Sequence, residues 1–234
     1  MIMNNITNHL YESRPQLAVS LADDIVIRLS DAINKNDHAS LAVSGGSTPK
    51  LLFQELSTRT LPWDKVTIIL VDERYVAPDD PRSNEKLVRE NLANNEASTV
   101  NILGFWKDGY AIHDAMNMLD AKFKDMNNFD VVILGMGLDG HTASFFPGGS
   151  NLTDAINPTC SKAILDMEAE GAGEPRLTIT LPQIMKAHYH VLHIEGDEKH
   201  EVLQQAMSED AEQILPIRSV VEAVKLPIHL YWAP

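Results

Sequence analysis

The sequence predicts an α/β fold, a doubly wound and mostly parallel sheet with helices on both faces. Three observations carry that prediction. Strand-length apolar runs alternate with amphipathic helical stretches along the chain. Strands joined through helices need right-handed crossovers, which cover both faces of a parallel sheet. Several of the apolar runs also end in glycine-rich or charged turns, and ligands sit beyond the carboxyl ends of the strands in such sheets.

Each element has its own justification. In residues 16–34, Leu17, Leu21, Ile25, Leu29 and Ile33 recur four apart, as on one face of an amphipathic helix. ASLAVSGG (39–46) reads as a short buried strand ending in glycines. STPKLLFQEL follows as a helix, with Ser47 or Thr48 as its N-cap and Pro49 near the first helical position. KVTIILVDER (65–74) is expected to be one strand, and RSNEKLVRENL (82–92) a helix capped by Ser83. Residues 98–105 form a short strand, 108–126 a helix and 129–137 a strand. After a less regular stretch, RLTITL (176–181) alternates with period two, and HYHVLHIEG (188–196) is again a strand. Helices at 197–207 and 216–224 and a strand at 226–232 complete one expected domain over residues 1–234.

Composition narrows the function. Nineteen Lys and Arg against 33 Asp and Glu give a net charge of −14, so a nucleic-acid or membrane-surface partner is not expected. An anionic substrate would need cationic residues gathered locally. Cys160 is the only cysteine, which excludes an internal disulfide and fits a reducing compartment. MIMNNITNHLYESRP lacks the basic and apolar regions of a secretory signal, and the apolar runs are too short to span a membrane. A cytoplasmic protein is expected, as a monomer or weak homo-oligomer.

VVILGMGLDGHTASFFPGG (131–149) contains G-x-G-x-x-G as Gly135, Gly137 and Gly140. A dinucleotide site needs the third glycine inside a substantial helix and an acidic residue about 20 positions further on, at a strand. Here Pro147-Gly148-Gly149 ends any helix after barely two turns, and Asp154 lies in a loop-like stretch. No nucleotide cofactor is expected. The loop instead lets the backbone approach a ligand and presents Asp139 and His141. Histidine titrates nearest neutral pH and can take and return a proton. Either Asp139 or Asp72 is a candidate carboxylate to fix its tautomer.

Other turns point to an anion. SGGST, with Gly45, Gly46 and Ser47, sits at a strand–helix junction whose unpaired N–H groups suit phosphate. It lacks the Gly-Lys-Ser/Thr of a nucleotide loop, so a small phosphoester fits better. Arg74, Arg82 and Lys199 offer positive charge, and Lys199 stands in the first turn of a helix, where a bound anion would offset its conflict with the helix dipole. His188, His190 and His193 suggest a metal cluster, but strand alternation turns His193 away from the other two, and no metal is expected. No G-x-S-x-G nucleophile is present.

In this order, LAVSGGSTPKLLFQEL (41–56), VDERYVAPDDPRSNEKLVRE (71–90), VVILGMGLDGHTASFFPG (131–148), RLTITLPQI (176–184), IEGDEKHEVL (194–203) and the closing LPIHLYWAP resemble the 6-phosphogluconolactonase family over nearly the whole chain. The resemblance implies a Rossmann-like sheet of the sugar-phosphate isomerase/deaminase type. It also implies hydrolysis of 6-phospho-D-glucono-1,5-lactone in the oxidative pentose phosphate pathway without cofactor or metal. His141 with Asp139 would be catalytic. Gly45, Gly46, Ser47, Asp72, Arg74, Gly137, Arg176 and Lys199 would bind substrate. The sister glucosamine-6-phosphate deaminases share the frame, but their D-G-H-I-A-F-N-E-P places a ring-opening glutamate where this chain has Phe146. Leu138 departs from the usual lactonase pattern, which has proline there.

Overall fold

The computed structural model describes residues 5–209, 211 and 214–234; the first four residues of the N-terminal stretch read above lie outside it. In chain order the elements are β1 (Ile6–Leu10), α1 (Arg14–Asn36), β2 (Ala39–Val43), α2 (Lys50–Ser57), β3 (Val66–Leu70), β4 (Asp72–Arg74), α3 (Asn84–Asn91) and β5 (Asn101–Leu103). They continue as α4 (Ile112–Lys124), β6 (Val131–Leu134), α5 (Leu152–Ala155), β7 (Ile164–Met167), β8 (Arg176–Ile179), α6 (Leu181–Met185), β9 (Tyr189–Glu195), α7 (Asp197–Ala206), α8 (Pro216–Ala223) and β10 (Ile228–Ala233).

Seven strands form one sheet, in the order β1-β10-β9-β6-β2-β3-β5, and every pairing in it is parallel. Strands covered on both faces read as continuous apolar runs. β6 (VVIL) is buried throughout, and β9 is buried except at its last residue. From β2 the chain winds outward through β3 to β5. It then returns to β6, on the other side of β2, and winds outward through β9 to β10. Right-handed crossovers in these two directions set α1 and α2 on one face, and α4, α7 and α8 on the other. α1 packs on α2, β2, β6 and β10, and α7 packs on β9 and α8. The stripe expected on α1 is the buried one, with Leu17, Leu21, Ile25 and Leu29 fully buried and Ile33 nearly so. The winding reverses between β2 and β6, which pair from Leu41↔Val131 to Val43↔Ile133. Beyond the ends of two such strands lies the crevice where open parallel sheets bind ligands.

The structure departs from expectation in five places. The strand expected over 65–74 breaks at Val71: β3 stays in the large sheet, whereas β4 pairs antiparallel with β8. Polar DER does not suit a sheet buried on both faces, and it crosses over the strand ends instead. RLTITL likewise joins no parallel sheet; β8 lies between β4 and β7 in a three-stranded antiparallel sheet, which its period-two alternation fits. β1 and β7 occupy stretches in which no strand is expected. β1 is a half-exposed edge strand of mixed polarity, so its apolar signal is weak. α2 begins at Lys50 after Pro49, and no side chain caps it, so Ser47 and Thr48 lie ahead of the helix. Among the described residues no helix is long and apolar enough to cross a membrane.

Candidate active site

The crevice at the winding reversal holds a pocket of about 220 Å³. Gly45, Gly46 and Ser47 reach it from the end of β2, and Gly137 and His141 from the end of β6. β4 supplies Asp72 and Arg74, β8 supplies Arg176, and the first turn of α7 supplies Lys199. Of the residues expected in a site, only Asp139 and Arg82 do not border the pocket. Asp139 stands directly behind a residue that does. Arg82 is engaged elsewhere, paired with Asp80 at 2.8 Å and with Glu174.

The loop after β6 is built around the histidine. His141 Nδ1 lies 2.5 Å from Asp139 Oδ1, and the same carboxylate oxygen accepts the His141 backbone N–H at 3.1 Å. With Nδ1–H donating to the carboxylate, the lone pair of a neutral ring falls on Nε2, the nitrogen a proton acceptor uses. The ring is 30 % exposed, open to a ligand yet held in place. Phe146 packs against it with ring centroids 4.5 Å apart and is itself covered by the Arg176 guanidinium at 4.9 Å. A Cβ on Gly137 would overlap the imidazole, and would lie only 2.6 Å from Asp139 Oδ1. Glycine is therefore required there for the close approach of the His141 ring and the Asp139 carboxylate. No helix follows: Thr142 and Phe145 form an isolated bridge, and the chain turns. The Gly135 N–H donates to Ser44 Oγ at 3.0 Å, that of Gly137 to His141 O at 2.9 Å, and that of Gly140 to Gly137 O at 3.0 Å. These three N–H groups are consumed in closing the loop.

The opposite carboxylate candidate is committed elsewhere. Asp72 is buried; its Oδ2 accepts from Ser144 Oγ at 2.5 Å and faces Arg176 Nη1 at 3.5 Å, and Asn84 Nδ2 donates to its carbonyl at 2.9 Å. The antiparallel register sets Arg74 directly opposite Arg176. Like charges facing each other across strands are unfavourable unless an anion joins them. Asn84 Oδ1 accepts from Arg74 Nη1 at 2.9 Å, and Arg176 Nη2 donates to Ala172 O at 3.0 Å. Burial is the main cause holding the Arg176 pKa below its ordinary value, against the opposing charge of Asp72. Burial likewise depresses Lys199, whose ammonium donates to Thr48 Oγ1 at 3.3 Å. Two half-buried cationic side chains, Arg176 and Lys199, and an exposed backbone turn thus gather positive charge in a chain of net charge −14.

Several pocket residues lie outside the sequence reading. Asn84 borders the pocket, and Ser144 reaches Asp72 from behind it. His193 borders it too, 2 % exposed, while His190 on the alternate face is buried with Nε2 2.8 Å from Ile184 O. The strand alternation that separates the two histidines is the signal that places His193 on another face; its direction toward this pocket depends on strand order.

Comparison with known proteins agrees with this frame. The family model described as glucosamine-6-phosphate isomerases/6-phosphogluconolactonase matches residues 12–232. The chain is 47 % identical over 227 residues to a 6-phosphogluconolactonase of Rhizobium meliloti, covering 97 % of this chain and 98 % of that protein. It is 43 % identical over 225 residues to one from Mesorhizobium japonicum, covering 96 % and 94 %. The crystal structure of a 6-phosphogluconolactonase from Shewanella baltica superposes with a TM-score of 0.93 at 34 % identity, over 99 % of each chain. On sequence and fold together, the chain belongs to the 6-phosphogluconolactonase family.

Proposed function

We propose that this chain hydrolyses 6-phospho-D-glucono-1,5-lactone to 6-phosphogluconate in the oxidative pentose phosphate pathway, with His141 as general base and without metal or cofactor. The observation that carries the reading is one pocket bordered by a carboxylate-backed imidazole, a strand–helix glycine turn and a half-buried ammonium. The phosphate lies at the Gly45–Ser47 turn with Lys199, and Arg74 and Arg176 add charge. The lactone carbonyl then faces the loop that carries His141. His141 Nε2 takes a proton from water as the water oxygen bonds to the carbonyl carbon. Asp139 accepts Nδ1–H and stabilises the imidazolium. Collapse of the tetrahedral intermediate breaks the bond to the ring oxygen, which receives the proton from His141 and leaves as the C5 hydroxyl. The lactone opens appreciably unaided, so a positioned base worth about 10²–10⁴-fold suffices. Phe146 offers no carboxylate for the acid–base relay of amino-sugar ring opening, and its apolar ring packs on His141 instead.

The deciding experiment is a lactonase assay on the wild type and on His141→Asn. Turnover should fall to near the uncatalysed rate in the variant while inorganic phosphate still binds. Full activity in His141→Asn would remove the base from the reading, and ammonia release from glucosamine 6-phosphate by the wild type would replace it with the deaminase.

A further inference from the structure

A second histidine borders the pocket with a carboxylate behind it. His193 lies near the carboxyl end of β9, which passes through Gly196 directly into α7 and hence to Lys199. Its side chain is 2 % exposed, and neither ring nitrogen makes a hydrogen bond among the described residues. Glu195, two residues on and therefore on the same strand face, brings Oε1 to 3.3 Å from His193 Nε2. That approach is close enough for attraction but is not aligned as a hydrogen bond. The other oxygen of Glu195 faces Arg14 Nε from the start of α1 at 3.5 Å, and the same carboxylate acts on the Lys199 ammonium.

A buried imidazole left with two unused nitrogens is costly unless something uses them. His190 on the neighbouring face shows the ordinary arrangement, with one nitrogen on a backbone carbonyl. His193 has no such carbonyl. Glu195 stands ready to take one ring N–H. In the imidazolium form the second nitrogen also carries a proton, and an anion in the pocket is the partner that form suits.

We propose that His193, backed by Glu195, is a further substrate-binding residue that reads the phosphate group beside Lys199, and so sets the preference for phosphorylated over unphosphorylated lactones. Position supports the phosphate end over the reacting end. His193 shares its strand–helix unit with Lys199, whereas the base His141 stands on the loop after β6 and has its own carboxylate. The inference rests on the lactonase reading for the identity of the substrate, but binding of the phosphate itself can be measured without turnover.

Two measurements test it. In the wild type carrying ¹⁵N-labelled imidazoles, titration with inorganic phosphate should shift the His193 ring nitrogen resonances along with saturation of the site. In His193→Gln, the dissociation constant for inorganic phosphate and the KM for the phosphorylated lactone should each rise roughly tenfold, the scale of one charge-assisted hydrogen bond. The ratio of kcat/KM for phosphorylated over unphosphorylated lactone should fall by the same factor. Unmoved resonances in the wild type overturn the proposal whether or not the variant folds. So does an equal loss on both lactones, or a fall in kcat with KM and phosphate affinity unchanged. A wild type that binds phosphate through His193 but opens no lactone would sink the lactonase reading, and with it the lactone preference, while the phosphate contact of His193 would stand.

Discussion

At the scale of single residues, the site divides, on the proposed lactonase reading, into groups that move protons and groups that hold charge, and substitutions should separate them. On that reading Asp139 would touch the reaction only through His141, whose Nδ1 lies 2.5 Å from its carboxylate. Asp139→Asn keeps the size but offers an amide that can present N–H to the ring and favour the wrong tautomer. Its kcat should drop by a large part of the roughly 10²–10⁴-fold that general-base help supplies, with little change in KM; steady-state kinetics showing an unchanged kcat would mean that the carboxylate orients nothing. Lys199→Met should do the reverse. It removes an ammonium remote from the reacting bond, so KM should rise about 10–100-fold, the scale of a charged hydrogen bond, while kcat is nearly kept. A kcat loss with KM unchanged would place the phosphate elsewhere. His141 and Lys199 are legible in sequence because one stands in the glycine loop after a strand and the other in the first turn of the helix after another. Asn84 and Ser144 are not, because both serve Asp72, and Ser144 meets it across 72 residues of chain. No local pattern encodes such a meeting.

At the scale of elements, the stretch VDER shows how one short strand serves two masters. Alternation in β4 sends Asp72 and Arg74 to the pocket and Glu73 the other way, into the start of α3. The Glu73 carboxylate is 1 % exposed and accepts the backbone N–H groups of Asn84 and Glu85, each at 2.8 Å, and Ser83 Oγ–H at 2.9 Å. Ser83 caps the helix as the sequence suggests, accepting from Lys86 N–H at 3.2 Å, but the buried carboxylate takes the first two orphan donors. Burial pushes the Glu73 pKa up, and these three donors oppose that shift. Glu73→Gln would turn an amide N–H₂ toward backbone donors and should cost about 2–3 kcal/mol. Because α3 carries Asn84, which links Arg74 to the Asp72 carbonyl, KM should rise in the same variant. Thermal unfolding and kinetics on Glu73→Gln check both halves, and an unaltered midpoint would show that the cap contributes nothing. Sequence periodicity marks 65–74 as strand, and in that sense finds both β3 and β4. It cannot mark the break at Val71, because the change of sheet is decided by β8, a hundred residues later.

At the scale of the whole molecule, the fold class is legible because alternating strands and helices leave few topologies open, whereas strand order is fixed by packing between distant segments. That order also buries histidines, and it predicts how stability responds to acid. His190 in β9 has Nε2 on the Ile184 carbonyl and Nδ1 without a partner; burial is the main cause holding its pKa below 6.5, reinforced by His188 and opposed by that carbonyl. His229 in β10 is depressed chiefly by burial too, then by His9, Arg28 and His190, with Asp24 opposing. Both fold as neutral rings. Unfolding returns them to an ordinary value near 6.5, so below that pH the unfolded chain binds more protons than the folded one. The stability they contribute is present above the unfolded pKa and is lost as pH falls through it. Each such group can account for at most about 1.4 kcal/mol per pH unit, and the half-buried His229 for less. Against this, protonation of exposed histidines relieves some self-repulsion of a chain with net charge −14, but salt at about 0.15 M screens that relief. The unfolding midpoint should therefore drop several degrees between about pH 7.5 and 5.5, as roughly 2–4 °C per kcal/mol implies for this size. His190→Asn should lower the midpoint at neutral pH yet flatten its slope with pH, since the neutral amide has no proton to gain. A midpoint that holds level or climbs on acidification, or a variant whose slope matches the wild type, would show that the buried rings do not govern the acid response.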